Sequence, residues 1–86
     1  MEYLVSKNFQ KQFKKLPKKT KNKAVEQLGL FVVDPMDYRL RNHPLTGEWA
    51  GYRSIDITND YRAVYRLLDE NIAFFKTVDN HNNLYK

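Results

Sequence analysis

Residues 48–78, EWAGYRSIDITNDYRAVYRLLDENIAFFKTV, decide the fold. Here the apolar side chains recur at every second position, the period of a strand with one face buried. Trp49, Ile55 and Ile57 fall on one side of EWAGYRSIDIT (48–58). NDYRAVYRLL (59–68) reads as its hairpin partner, joined through Thr58-Asn59-Asp60. DEN (69–71) is a second turn, and IAFFKTV (72–78) a third strand. Turns this short make sequential strands antiparallel, so the segment is a meander.

Upstream the period changes. EYLVS (2–6) alternates weakly and suits a short opening strand. In SKNFQKQFKKL (6–16), Phe9, Phe13 and Leu16 lie at i, i+4 and i+7, one face of an amphipathic helix, and Ser6 is a natural N-cap. Pro17 ends that helix or opens the next. KKTKNKAVEQLGLFVVD (18–34) places Ala24, Leu28, Phe31 and Val32 on one side of a second helix, which Asp34-Pro35 stops. With so little chain between them, the helices should form an antiparallel hairpin. In HPLTGEWAGYR (43–53), Pro44, Gly47 and Gly51 shape the approach to the first meander strand. The tail DNHNNLYK (79–86) is polar with one aromatic. The expected fold is α+β: β-α-α-β-β-β, with room for one more strand, mainly antiparallel, the helical hairpin packed on one sheet face. The other face is left open to a ligand or partner.

Bulk properties narrow the possibilities. Eighty-six residues suggest one domain, 1–86. A domain of this size buries only about 60% of its unfolded surface. Without cysteine there is no disulfide, and two histidines cannot complete a closed four-ligand zinc site. No signal-peptide pattern and no membrane-length apolar run is seen, which points to a soluble cytoplasmic protein without a membrane partner. Charge is lopsided. Residues 1–33 carry eight lysines against Glu2 and Glu26, while residues 34–86 are close to neutral, and the whole is +5. Lysines packed between Lys7 and Lys23 either attract polyanions or form a solvated helical face.

The element order, with HPLTGEWAGYRSIDITNDYRAVY (43–65) and H-x-x-L-Y at His81–Tyr85, resembles the RelE/ParE superfamily of bacterial toxin–antitoxin toxins. It looks closest to the YafQ-like ribonuclease branch, where H-P-L-x-G-x-W-x-G-x-R precedes a strand hairpin and a histidine stands four residues before a terminal aromatic. The resemblance implies a RelE-like fold and a messenger-RNA interferase that cuts on the ribosome. It implies a cognate antitoxin as inhibitor, the ribosome and mRNA as partners, and operator DNA only through the antitoxin complex. No metal or other cofactor is implied.

Metal-free RNA cleavage needs a base for the 2′-hydroxyl, an acid for the leaving 5′-oxygen, and cations around the phosphorane. Imidazole suits either proton role. The histidines, His43 and His81, stand just before and just after the meander and can converge on one sheet face. By itself His81 reads sooner as a solvated histidine in a polar tail; the resemblance reverses that and assigns it general acid or base work. His43 opens the H-P-L-x-G motif and is given a supporting acid–base or phosphate-binding role, or is a loop histidine before proline. Asp60 matches an acidic position of the family hairpin, while Asn59-Asp60 is also what a turn wants. Arg62 matches an arginine that neutralises the scissile phosphate, a task guanidinium geometry suits. Tyr85 and Tyr61 match aromatics that stack on RNA bases or pack. Lys11, Lys14, Lys15 and Lys18 are assigned to RNA. Arg53 should be structural and half-buried, Arg66 solvated, and Trp49 and Tyr65 core. The chain departs from its apparent relatives at Ser54, where they carry an acid, and at Asp56, where they carry a histidine. Two rivals remain: a ParE-like gyrase-binding toxin without enzymatic activity, and a degenerate module that only binds its antitoxin.

Overall fold

The computed structural model describes residues 1–84. In chain order it holds β1 (Glu2–Val5), α1 (Lys7–Lys15), α2 (Lys18–Val33), β2 (His43–Pro44), β3 (Arg53–Asp56), β4 (Tyr61–Leu67), β5 (Ile72–Asn80) and a short helical turn α3 (His81–Leu84). Two 3-10 turns, Tyr38–Leu40 and Gly47–Trp49, shape the long connection. The five strands form one sheet in the order β1-β5-β4-β3-β2. β1 pairs parallel with β5, and the remaining pairs are antiparallel. This is the expected α+β architecture with the optional fourth late strand present as β2.

Ser6 joins strand to helix. Its Oγ accepts from Phe9 N at 2.9 Å, capping α1, and donates to Lys76 O at 2.6 Å. β1 stops at Val5, opposite Phe75, which would leave the rest of β5 as a bare edge. The start of α1 closes it. Ser6 N donates to Phe75 O at 2.9 Å, and Gln12 Oε1 accepts from Val78 N at 2.9 Å and Thr77 Oγ1 at 2.8 Å. A helix side chain thus takes the place of a missing strand.

The core lies between the helices and the sheet. Phe75 is fully buried at its centre. Its ring meets Tyr3 of β1 at 5.6 Å, Phe9 of α1 at 5.9 Å, Phe31 of α2 at 5.1 Å and Tyr65 of β4 at 5.1 Å between centroids. Aromatic pairs at such distances and tilts contribute beyond the area they bury. Leu16, Ala24, Leu28, Leu40, Ile55, Ile57, Ala63, Ala73 and Val78 complete the cluster. A β-bulge decides which residues of β5 belong to it. Val64 pairs with Thr77 but Tyr65 with Phe75, so Lys76 has no partner across the ladder. The extra residue resets the alternation, so Val78 joins Phe75 in the core while Lys76 stays exposed.

Three local expectations are corrected. β3 is shorter than the alternation suggests, because Gly47 and Gly51 adopt φ of 65° and 91° and curl its approach into a 3-10 turn. Trp49 therefore misses the core. It is half-buried against Tyr52, 5.4 Å between centroids, with Lys76 Nζ 5.8 Å from its ring. On α2, Val32 is 41% exposed, and Gln27 occupies a buried place instead. Its amide is satisfied: Nε2 donates to Arg39 O at 3.1 Å and Asp56 O at 2.9 Å.

Because Phe75 touches rings from four elements, Phe75→Ala should cost about 3–5 kcal/mol. That is most of what a domain this small possesses. Urea unfolding should show a largely unfolded variant; a midpoint near that of the native protein would remove Phe75 from the centre of the account.

Candidate functional site

On the sheet face away from the helices, three strands and the helical turn after β5 deliver side chains to one cleft of about 410 Å³, lined by Arg41, His43, Leu45, Asp56, Arg62 and His81. β2 supplies His43, β3 Asp56, β4 Arg62, and His81 follows the end of β5. The convergence of the two histidines expected from topology is realised in this cleft.

Each side chain is aimed by what precedes it. Arg41 adopts φ 48°, an uncommon left-handed conformation for a residue with a side chain. The chain turns there, and Asn42 is drawn inward. Its Nδ2 donates to Pro35 O at 2.9 Å and Tyr65 Oη at 2.7 Å, and its Oδ1 accepts from Arg53 Nε at 2.8 Å. Arg53 is accordingly half-buried and structural, as expected. Alternation then sends His43 to the opposite face. Pro44 after it keeps the backbone extended, which suits its pairing with Ser54. His43 Nδ1 lies 2.8 Å from Arg41 O. A carbonyl can only accept, so Nδ1 carries the proton and Nε2 of the neutral ring is left as the acceptor.

Arg62 is fixed from two sides. Nη1 donates to the carbonyls of Thr58 at 2.8 Å, Asn59 at 2.9 Å and Tyr61 at 3.2 Å, and Nε lies 2.9 Å from Asp56 Oδ1. Asp56 also has Arg41 Nε at 4.0 Å. One carboxylate therefore stands between two guanidiniums and offsets their repulsion. The Asp56 and Arg62 side chains are only 15% and 18% exposed, whereas that of Arg41 is 81% exposed. Among the described residues, no three His, Cys, Asp or Glu side chains group closely enough to hold a metal ion.

The other sequence-selected residues go elsewhere. Asp60 does not line the cleft; it sits in the turn, where its N donates to Thr58 Oγ1 at 3.2 Å. Its carbonyl accepts from His81 N at 2.7 Å, so it reaches the histidine through the backbone. Tyr61 packs half-buried against the core, on the face opposite the cleft. Lys11, Lys14, Lys15 and Lys18 are exposed on the helices, and none lines the cleft. Tyr85 lies outside the described residues.

Arg41 and Leu45 escaped the sequence reading. Nothing in RLRNHPL (39–45) separates Arg41 from Arg39; the left-handed turn at Arg41 does. Asp56 was visible in sequence only as a departure and proves to be the charge between the arginines. Ser54, two residues earlier on the same strand face, is fully buried. Its Oγ has no hydrogen-bond partner among the described residues. A carboxylate there would face a far larger desolvation cost than a hydroxyl. Ser54→Ala should raise stability by up to about 1 kcal/mol, since it removes a buried unpaired hydroxyl. For a domain of this size that is a rise in Tm of roughly 4–8 °C. A drop in Tm by scanning calorimetry would show that the hydroxyl has a partner after all.

The family model for the bacterial toxin of type II toxin–antitoxin systems, YafQ, matches residues 1–86. The mRNA interferase toxin YafQ of Escherichia coli strain K12 is 35% identical over 43 residues, covering 50% of this chain and 47% of that protein. The aligned stretch thus spans about half the length of that relative. Among solved structures, the crystal structure of YafQ from E. coli strain BL21(DE3) superposes with a TM-score of 0.82 at 25% identity, over 99% of this chain and 98% of that one. A chain of the RelBE2 toxin–antitoxin complex from Mycobacterium tuberculosis gives 0.76 at 27% identity, over 93% of this chain and 90% of that one.

Proposed function

Because this chain belongs to the YafQ family of bacterial type II toxin–antitoxin toxins, we propose that it is an endoribonuclease that cuts mRNA on the ribosome without a metal ion and is held inactive by a cognate antitoxin. The observation that carries the reading is the cleft in which His43, His81, Arg62, Arg41 and Asp56 meet. Two imidazoles and two guanidiniums around one concavity are the equipment that 2′-hydroxyl attack requires.

In the proposed reaction an imidazole removes the 2′-proton, the 2′-oxygen attacks the adjacent phosphorus, and the other imidazole protonates the departing 5′-oxygen. The products are a 2′,3′-cyclic phosphate and a 5′-hydroxyl. Arg62, held rigid by three carbonyls and Asp56, offers its charge to the phosphorane without reorganising. The free lone pair on His43 Nε2 equips that ring to take a proton, leaving His81 to donate one. Asp60 acts through the backbone bond that seats His81.

The lysines of α1 and the start of α2 face solvent. We assign Lys11, Lys14, Lys15 and Lys18 to ribosomal RNA, whose phosphates reward such a surface through counterion release. To an antitoxin this chain offers an apolar groove of about 360 Å³ on the helix side, lined by Val5, Phe9, Phe13, Lys14, Val25 and Leu28. A segment that orders on binding could fill it.

His81→Ala should lower the rate of message cleavage about 100- to 10,000-fold in a translating extract, the range for losing a general acid or base. Arg62→Ala should likewise relieve growth arrest on induction. Circular dichroism should show both variants folded; full toxicity in both would sink the site assignment. Neutral replacements at Lys11, Lys14, Lys15 and Lys18 should weaken ribosome binding and flatten its salt dependence. Sedimentation with ribosomes that ignores both salt and these replacements would return the lysines to a solvated face.

A further inference from the structure

Arg41 and Asp56 line a second groove as well as the cleft. It measures about 370 Å³ and is bounded by Lys23, Gln27, Tyr38, Arg39, Thr58 and Asn59. Two of the three carbonyls gripped by Arg62 belong to Thr58 and Asn59, so one wall of the groove is anchored to the residue that faces the phosphate in the proposed reaction.

Tyr38 is the prominent feature. It is 86% exposed, yet its backbone is firmly held. Asp37 caps the turn: its carboxylate accepts from Arg39 N at 3.0 Å, Nε at 3.0 Å and Nη2 at 2.8 Å. These bonds hold the Asp37 carboxyl down at about 2, so the clamp stays charged in neutral solution. The Arg39 guanidinium lies 6.0 Å from the Tyr38 ring centroid. Gln27 ties Arg39 O to Asp56 O, which locks the turn to β3. An exposed ring on a braced platform has little ordering left to lose on binding.

The charges around it are selective. Arg39 is matched by Asp37, and Lys23 by Glu26 at 3.3 Å. The groove is therefore no general polyanion trap. Arg41, loosely held 4.0 Å from Asp56, is the cation that can meet a phosphate at the junction of the two clefts. A flat ring, an exposed guanidinium three residues on and polar walls suit one unpaired nucleotide.

We propose that this groove is a subsite for the nucleotide of single-stranded RNA that adjoins the scissile phosphate, with its base stacked on Tyr38 and its phosphate held by Arg41. The proposal rests on the endoribonuclease reading and extends the site along the message. Stacking would make this position tolerant of base identity.

The test uses the full chain and a short fluorescein-labelled single-stranded RNA, 2′-O-methylated so that it cannot be cut. Anisotropy should show Tyr38→Ala weakening binding about 5- to 100-fold, the range for losing one base–aromatic stack. Tyr38→Phe should bind like the native chain. Arg41→Ala should weaken binding and reduce its salt dependence by about one phosphate contact. A duplex of the same sequence, whose bases are already paired, should not feel Tyr38→Ala. Unchanged oligonucleotide binding in Tyr38→Ala and Arg41→Ala would overturn the subsite. So would equal losses for single strand and duplex, or a loss seen only with ribosomes, which would assign the ring to ribosomal RNA. Cleavage of translated message by the unaltered chain is measured alongside. Its absence would overturn the endoribonuclease reading, whereas cleavage with unaffected oligonucleotide binding in the variants would overturn the subsite alone.

Discussion

The burial of Phe75 holds this protein together. One ring on β5 meets aromatic rings from β1, α1, α2 and β4, so the helices, the parallel edge and the antiparallel meander share a single contact point. A small domain has few side chains with which to build a core and no disulfide to help. It gains from placing its largest rings where each serves several elements. The bulge at Lys76 follows from the same need. It keeps Val78 in the core after Phe75 and re-aims the end of β5, where His81 begins.

The cleft face depends on that scaffold without sharing its residues. Inward side chains make the core, and outward ones from β2, β3 and β4 make the cleft. Asn42 is the pivot between them. Its amide binds Tyr65 and Arg53 on the core side, and the next residue, His43, is thereby presented outward. Asp56 performs the matching electrostatic task. It allows Arg41 and Arg62 to stand in one concavity that would otherwise repel them apart.

Much of this was legible in the sequence. The helical spacing of Phe9, Phe13 and Leu16, the Ser6 cap and the alternation through Ile55, Ile57, Ala63 and Tyr65 each carry their own local physics. They returned the elements in the right order. The meeting of His43 and His81 in one cleft was legible through topology, because the ends of a meander approach one another, whereas Arg62 was selected only by the family resemblance. Less legible were features that depend on a backbone angle. The curl before β3, which keeps Trp49 out of the core, follows from positive φ at Gly47 and Gly51, and glycine permits that conformation without requiring it. Tyr61 fell on the core face because strand parity, not residue type, assigns it.

The sequence by itself determined the element types, the class of fold and the chemical kinds of side chain available, since hydrophobic period and capping act over a few neighbouring residues. Only the tertiary structure decided which charges meet. Arg41 enters the site by a left-handed turn, Asp56 becomes the counter-charge of two arginines, and Ser54 is sealed beneath the surface. Lys76 is left out of the ladder by a one-residue slip that changes the face of every residue after it. Such outcomes depend on register and on contacts between residues distant in the chain, which no local pattern encodes.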